Sequence, residues 1–196
     1  MTIVSRIEQL YLARGSRLYE QAAPGEVVTV LEHALQCAQL AEWAQADPSL
    51  VAAALLHDIG HLLVDGDDET RAEGHEILAA RFLELDFDPD VVQPIRLHVL
   101  AKRYLVTIDP SYVDKLSAAS RHSLIRQGGP LTEREVEAFE VAPFAAQAVA
   151  LRRWDDLARV PGKKTPSLDW YVGVLESLQQ DPWEEVRTEI GSGSTV

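Results

Sequence analysis

The sequence predicts an all-α fold, a helical bundle, on three observations. Apolar residues recur at spacings of three, four and seven along almost the whole chain, the period of one helix face. No segment shows the period-two alternation of a half-buried strand. Asp-Pro pairs and a Thr-x-x-Glu box punctuate the periodic segments where helices should start. The 196 residues suit one domain, with residues 1–185 forming the body and 186–196, containing Gly191-Ser192-Gly193-Ser194, a flexible tail.

Ile3, Ile7, Leu10, Tyr11 and Leu18 make the stripe of a first helix that Gly15 breaks or bends. Ala22-Ala23-Pro24-Gly25 reads as a turn, and a second helix runs from Glu26 to Ala46 with Val30, His33, Cys37, Leu40 and Ala44 on its apolar face. Asp47-Pro48 opens a third, with Asp47 at the N-cap and proline at the first helical position, where its missing N–H costs nothing. That helix leads into Leu55-Leu56-His57-Asp58-Ile59-Gly60-His61. Val64 to Glu69 is an acidic loop without EF-hand spacing, hence solvated. A fourth helix carries His75 with Ala79, Phe82 and Leu83, and Asp88-Pro89 starts a fifth that buries Val92, Ile95 and His98. Asp109-Pro110 and Gln127-Gly128-Gly129-Pro130 are breaks, and Thr132-Glu133-Arg134-Glu135 is a capping box. Helices over Pro143–Asp156 and Ser167–Gln180 complete the chain.

Composition narrows the function. A net charge of −13 argues against nucleic acid and anionic membrane as partners. No apolar run reaches the roughly 18 residues of a membrane span, and a single cysteine, Cys37, fits a reducing compartment. The expectation is a cytoplasmic enzyme.

The polar residues on apolar faces carry the chemistry. Adjacent His57 and Asp58 point about 100° apart on a helix, so both reach one ion only near the helix end. His33, His75 and His98 sit on apolar faces of three other helices, and a buried neutral imidazole needs hydrogen-bond partners or a metal. Bundles build metal sites from such inward-facing side chains. Mixed imidazole and carboxylate donors, with Asp58 and Asp155 as the carboxylates, suit iron, manganese or zinc.

His33, His57-Asp58 and Asp155 together resemble the metal-binding pattern of the HD superfamily, an all-helical fold of mostly metal-dependent phosphohydrolases. Five blocks in order narrow the likeness: Leu31–Ala38, His98–Val106, Leu116–Arg121, Gln127–Pro130 and Arg152–Asp155. They are similar to the 2-amino-1-hydroxyethylphosphonate dioxygenase family and its trimethylammonio and hydroxymethyl relatives. The resemblance implies two metals, one on His33, His57, Asp58 and Asp155, the other on His75, His98 and the shared Asp58. It implies iron in a mixed Fe(II)/Fe(III) pair, O2 as co-substrate, and cleavage of a carbon–phosphorus bond to a carboxylic acid and inorganic phosphate. It further implies a small-molecule phosphonate substrate supplied by a 2-oxoglutarate-dependent hydroxylase.

A phosphonate dianion on so acidic a chain needs converging positive charge. Lys102 is four residues after His98 and Arg152 three before Asp155, each on its ligand's own face. The family's phosphonate contacts fall on His61, Lys102, Ser120 and Arg152, and its catalytic positions on Asp58, His61 and Lys102. Glu26 matches the glutamate that recognises the aminoethyl group, seven residues before His33. At the family's gating tyrosine the chain has Ala23, so the gate is either lost or supplied by Tyr19, and Val30 replaces a polar residue. The chemistry is therefore expected to be kept while the group beyond carbon one differs. Trp154 is expected to pack in the core. The competing readings are a di-metal phosphohydrolase of phosphate esters or nucleotides and a binding protein with a degenerate site.

Overall fold

The computed structural model describes residues 1–21, 27–64 and 74–179. Ala23, Glu26, most of the acidic loop and the tail lie outside them. Among the described residues the helices are α1 (Ile3–Arg14), α2 (Val30–Trp43), α3 (Pro48–Leu56), α4 (His75–Leu83), α5 (Pro89–Ile108), α6 (Tyr112–Lys115), α7 (Ala118–Arg126), α8 (Glu133–Glu140), α9 (Ala145–Leu157) and α10 (Leu168–Leu178).

The helix starts follow the local chemistry. Thr132 and Glu135 form the expected reciprocal box at α8, Asp47-Pro48 stands at the start of α3, and Asp88-Pro89 at that of α5. Two expectations are corrected. Leu18 does not continue the stripe of α1, which ends at Arg14 before Gly15; it lies 58 % exposed on strand β1 (Leu18–Gln21). The second helix begins at Val30 rather than Glu26, because Val27–Thr29 is strand β2, antiparallel to β1. Thr29 then caps α2 in a reciprocal box with Glu32. This two-stranded hairpin is the one departure from an all-α architecture among the described residues.

The main core gathers apolar side chains from α1 to α5 with Leu151 of α9 and Tyr171 and Leu175 of α10. Trp154 packs against it, as expected. Within this core α3 is buried from Val51 to Leu56. Ala52, Ala53 and Ala54 let neighbours approach on every side, and Leu55 and Leu56 each contribute about 1.5–3 kcal/mol by burial. Two smaller clusters lie along the second half of α5, one against α8 and α9, the other against α6 and α7.

The end of α3 positions the site. The helix stops at Leu56, His57 is its C-cap, and Asp58 takes φ −103°, ψ 8° before a 3-10 turn over Ile59–Leu62. That break turns the Asp58 carboxylate away from the helical direction held by His57. α1 braces the stretch: Tyr11 donates its hydroxyl to the Leu55 carbonyl at 2.6 Å, and Arg14 donates to the Leu62 carbonyl at 2.7 Å.

Gly60 has a steric role. A Cβ there would lie 2.0 Å from the backbone oxygen of His75, so the glycine lets the 3-10 turn seat against the start of α4. Gly60→Ala should cost about 3 kcal/mol by forcing the two backbones apart. Urea unfolding of the metal-free protein checks this, and an unchanged midpoint would refute the contact's importance.

Candidate metal centre

Six helices deliver polar residues singled out in the sequence to one buried region. His33 comes from α2, His57 and Asp58 from the end of α3, His75 from the first position of α4, His98 and Lys102 from α5, Ser120 from α7, and Arg152 and Asp155 from α9. His33, His57, Asp58, His75, His98, Lys102, Ser120, Arg152 and Asp155 are all buried.

The donors fall into two groups that share Asp58. Around Asp58 Oδ2, His57 Nε2 lies at 3.4 Å and His33 Nε2 at 3.8 Å; the two imidazole nitrogens are 3.3 Å apart, and Asp155 Oδ1 is 3.5 Å from His33. Around Asp58 Oδ1, His75 Nε2 lies at 3.1 Å and His98 Nε2 at 3.8 Å, with 3.1 Å between the two nitrogens. Two donors each about 2.1 Å from an ion stand about 3.0 Å apart at right angles and about 3.4 Å apart at a tetrahedral angle. The shorter separations, 3.1 to 3.5 Å, are close to that spacing and those of 3.8 Å exceed it, so each group could close on an ion, with one oxygen of Asp58 directed at each.

The backbone sets which ring nitrogens point inward. Nδ1 of His33 meets the Ala158 carbonyl at 2.8 Å, that of His57 the Ala54 carbonyl at 2.9 Å, and that of His98 the Ile95 carbonyl at 2.7 Å. A carbonyl only accepts, so each Nδ1 carries hydrogen and each Nε2 of the neutral ring is left with its lone pair toward the centre.

Burial pushes His33 and His61 down to about 4 and His98 well below its ordinary value, which keeps these rings neutral and able to ligate. Burial also pulls on His57, but the Asp58 and Asp155 carboxylates outweigh it and raise that ring to about 9. Burial opposes ionisation of Asp58, yet His57 and His75 hold it well below the carboxylate range; at Asp155 the same opposition is overcome by Arg152 and Arg159. In the metal-free protein the His57 proton supplies part of the positive charge that an ion would bring.

Cys37 lies near the first group, its sulfur 3.5 Å from His33 Nε2. Complete burial, reinforced by Asp155 and Asp58, raises the thiol well above its ordinary value. The first group thus offers two imidazoles and two carboxylates, with the Cys37 sulfur as a further soft donor.

The expected phosphonate contacts converge beside the second half of α5. Arg152 donates to Asp155 Oδ2 at 2.5 Å, to Asp156, and to the Ser120 hydroxyl at 3.4 Å. Lys102 donates to Ser123 Oγ at 2.8 Å, one turn along α7 from Ser120. His61 stacks on His75 with ring centres 4.1 Å apart and Nε2 3.8 Å from Asp58, at the more open side of the site. Arg103 and Arg121 instead serve backbone carbonyls, of Gly129 and Leu116 respectively, and Arg153 is exposed. The Gln127–Pro130 block has a matching role, since Gly128 and Gly129 have positive φ and Gly128 lies against the Arg103 guanidinium.

Three residues join the site without having been assigned to it from sequence, beside Tyr19, the alternative considered for the gate. Tyr19 stacks on His33 at 3.7 Å and donates its hydroxyl to Asp58 Oδ2 at 2.6 Å. Asp156 accepts from Arg152 and Tyr112, Ser123 holds Lys102, and Arg159 reaches Asp155 and Ser120. Spacing could have found Asp156 and Arg159, which lie four residues from Arg152 and Asp155. Tyr19 depends on the hairpin and left no periodic signal.

The HD domain family model matches residues 30–157. The chain is 44 % identical over 179 residues to hydroxymethylphosphonate dioxygenase of Gimesia maris, covering 89 % of this chain and 87 % of that protein. It is 39 % identical over 180 residues to the glycine-betaine-forming [1-hydroxy-2-(trimethylamino)ethyl]phosphonate dioxygenase of Leisingera caerulea, covering 90 % of each. An uncharacterised protein of Acanthamoeba polyphaga mimivirus is 38 % identical over 168 residues, covering 81 % of this chain and 77 % of that protein. With the histidine and aspartate groups in place and two-thirds of its length matched, the chain belongs to the HD domain family.

Proposed function

We propose that the chain is an iron-dependent oxygenase that cleaves the carbon–phosphorus bond of a small 1-hydroxyphosphonate. The observation that carries this reading is the split of Asp58 between two imidazole pairs, with Lys102, Ser120 and Arg152 alongside. The named relatives, dioxygenases of hydroxymethyl and trimethylaminoethyl phosphonates, supply the reaction class. One hydroxyphosphonic acid and one O2 balance one carboxylic acid and one phosphoric acid, with the carbon–phosphorus bond broken and one new oxygen in each product.

His33, His57, Asp58 and Asp155 would hold one iron, and His75, His98 and Asp58 the other. The Fe(II)/Fe(III) pair supplies dioxygen activation and a Lewis-acid anchor for the substrate's oxygens. The chain's own residues bind and orient. Lys102, Arg152, Ser120 and His61 receive the phosphonate oxygens and fix the direction of carbon one. Tyr19 fills the role for which Ala23 is unsuited: its hydroxyl occupies the Asp58 side of the site and must turn away when substrate enters. Glu26 is the candidate partner for a cationic group beyond carbon one, and lies outside the described residues.

Burial, then the neighbouring Arg152, lower Lys102 to about 8. Its positive charge is present below that pH and lost above it, so KM for the phosphonate should rise about tenfold from pH 7 to pH 9. Lys102→Arg, which stays charged, should flatten that rise; an equally steep profile in the variant would assign it elsewhere.

The deciding experiment loads the protein with iron and offers a panel of 1-hydroxyphosphonates with and without O2. Oxygen-dependent release of phosphate with a matching carboxylate is expected. Anaerobic hydrolysis of phosphate esters instead would make it a di-metal phosphohydrolase. By family resemblance the enzyme would act after a hydroxylase of 2-oxoglutarate type, in the cytoplasm. No helix among the described residues is long and apolar enough to cross a membrane.

A further inference from the structure

We infer that Arg159 is a second guanidinium of the phosphonate pocket, acting with Arg152 across the Ser120 hydroxyl; this rests on the proposed substrate class. Arg159 Nη2 lies 3.2 Å from Ser120 Oγ and 3.2 Å from Asp155 Oδ1, and Arg152 Nη2 reaches the same Ser120 oxygen at 3.4 Å. An anion that accepts a hydrogen bond from Ser120 therefore arrives between two guanidinium groups. The Arg159 guanidinium also stands 5.7 Å from the Tyr19 ring centre, on the ring whose hydroxyl holds Asp58.

Arg159 is fixed from both sides although it follows the end of α9. The preceding carbonyl, Ala158, is held by His33, and the next residue, Val160, exchanges two hydrogen bonds of 3.0 Å with the Gln36 amide. The side chain is 17 % exposed, against 5 % for Arg152. It thus approaches Ser120 from the more accessible direction.

The charges make the direction of the effect clear. Arg152 and Arg159 face Asp155 and Asp156, with Lys102 adding positive charge nearby. Were Asp155 to commit its charge to an ion, its pull on Arg159 would weaken. A phosphonate or phosphate dianion accepting from Ser120 brings negative charge beside Arg159, and a guanidinium matches two of its oxygens as a planar fork.

The test titrates inorganic phosphate, the common product, into iron-loaded protein under argon by calorimetry, with iron content measured on the same samples. Arg159→Gln should weaken phosphate at least tenfold at unchanged iron content, and Arg159→Lys should recover part of that loss. KM for the hydroxyphosphonate should rise in the same order with a smaller change in kcat. A residue that only props Asp155 would change iron content and leave phosphate affinity at saturating iron alone. Phosphate affinity within twofold of wild type in Arg159→Gln, no phosphate binding by the wild type, or weakening that tracks iron loss overturns the assignment. Should Arg159→Gln not fold, wild-type affinity in Arg159→Lys does so. Arg159-dependent phosphate binding without hydroxyphosphonate turnover would leave this inference standing and remove the oxygenase reading.

Discussion

Asp58→Ala is expected to reduce bound iron to less than one ion per chain and to lower turnover by well over 100-fold. Loss of a partner that only orients a ligand costs about 10–100-fold in metal affinity or activity, and Asp58 offers one oxygen to each of the two imidazole pairs. Metal analysis with steady-state oxygen uptake checks it; two retained ions would show that the carboxylate is not shared. A second readout needs no metal. His57 in the metal-free fold is raised to about 9 chiefly by Asp58 acting against burial, so in the variant burial should win and the ring should fall below its ordinary value. The sign for stability follows. A raised histidine stabilises the metal-free wild type fully below pH 6.5, its unfolded value, and that contribution of about 3 kcal/mol is lost as pH rises through 9. The Asp58→Ala protein should lack this decline.

Arg152→Met should be the most destabilising change among the basic residues, about 3–5 kcal/mol in the metal-free protein. Its side chain is 5 % exposed and ion-paired with both Asp155 and Asp156, so truncation leaves buried carboxylates with less compensation. The penalty should depend on pH in a definite direction. Burial and then Asp155 push Asp156 up against the pull of Arg152. Without the arginine Asp156 rises further, so the folded protein holds its proton more tightly than the unfolded chain. The variant should therefore be closer to wild type at pH 5 than at pH 8, as measured by urea unfolding at both. An equal loss at the two values would assign the cost to lost packing.

The parts of the fold legible in the sequence are those set by local chemistry. Asp47-Pro48, Asp88-Pro89 and Thr132 to Glu135 mark helix starts because capping and the fixed φ of proline act within one turn. The Thr29–Glu32 box was present in the same form and would have placed the start of α2 correctly. The hairpin was not legible. Its strands are only three and four residues long, while Leu18 happens to fall in phase with Ile7 and Tyr11. The candidate histidines stood out because imidazoles interrupt otherwise apolar faces, whereas Asp155, beside charged neighbours, was picked out by the family pattern. Ser123 was not legible, and Tyr19 stood only as an alternative for the gate, since their roles come from contacts between elements rather than from position on one.

One carboxylate facing two groups of imidazoles also means that two ions held there would not bind independently. Occupation of either position would draw electron density from Asp58 and set the orientation of the oxygen left for the other. The result would be a coupling free energy between the positions, and by linkage the first ion would alter the affinity for the second by the same factor as the reverse. Metal titration of the wild type should depart from two identical, independent sites in a way that Asp58→Asn removes.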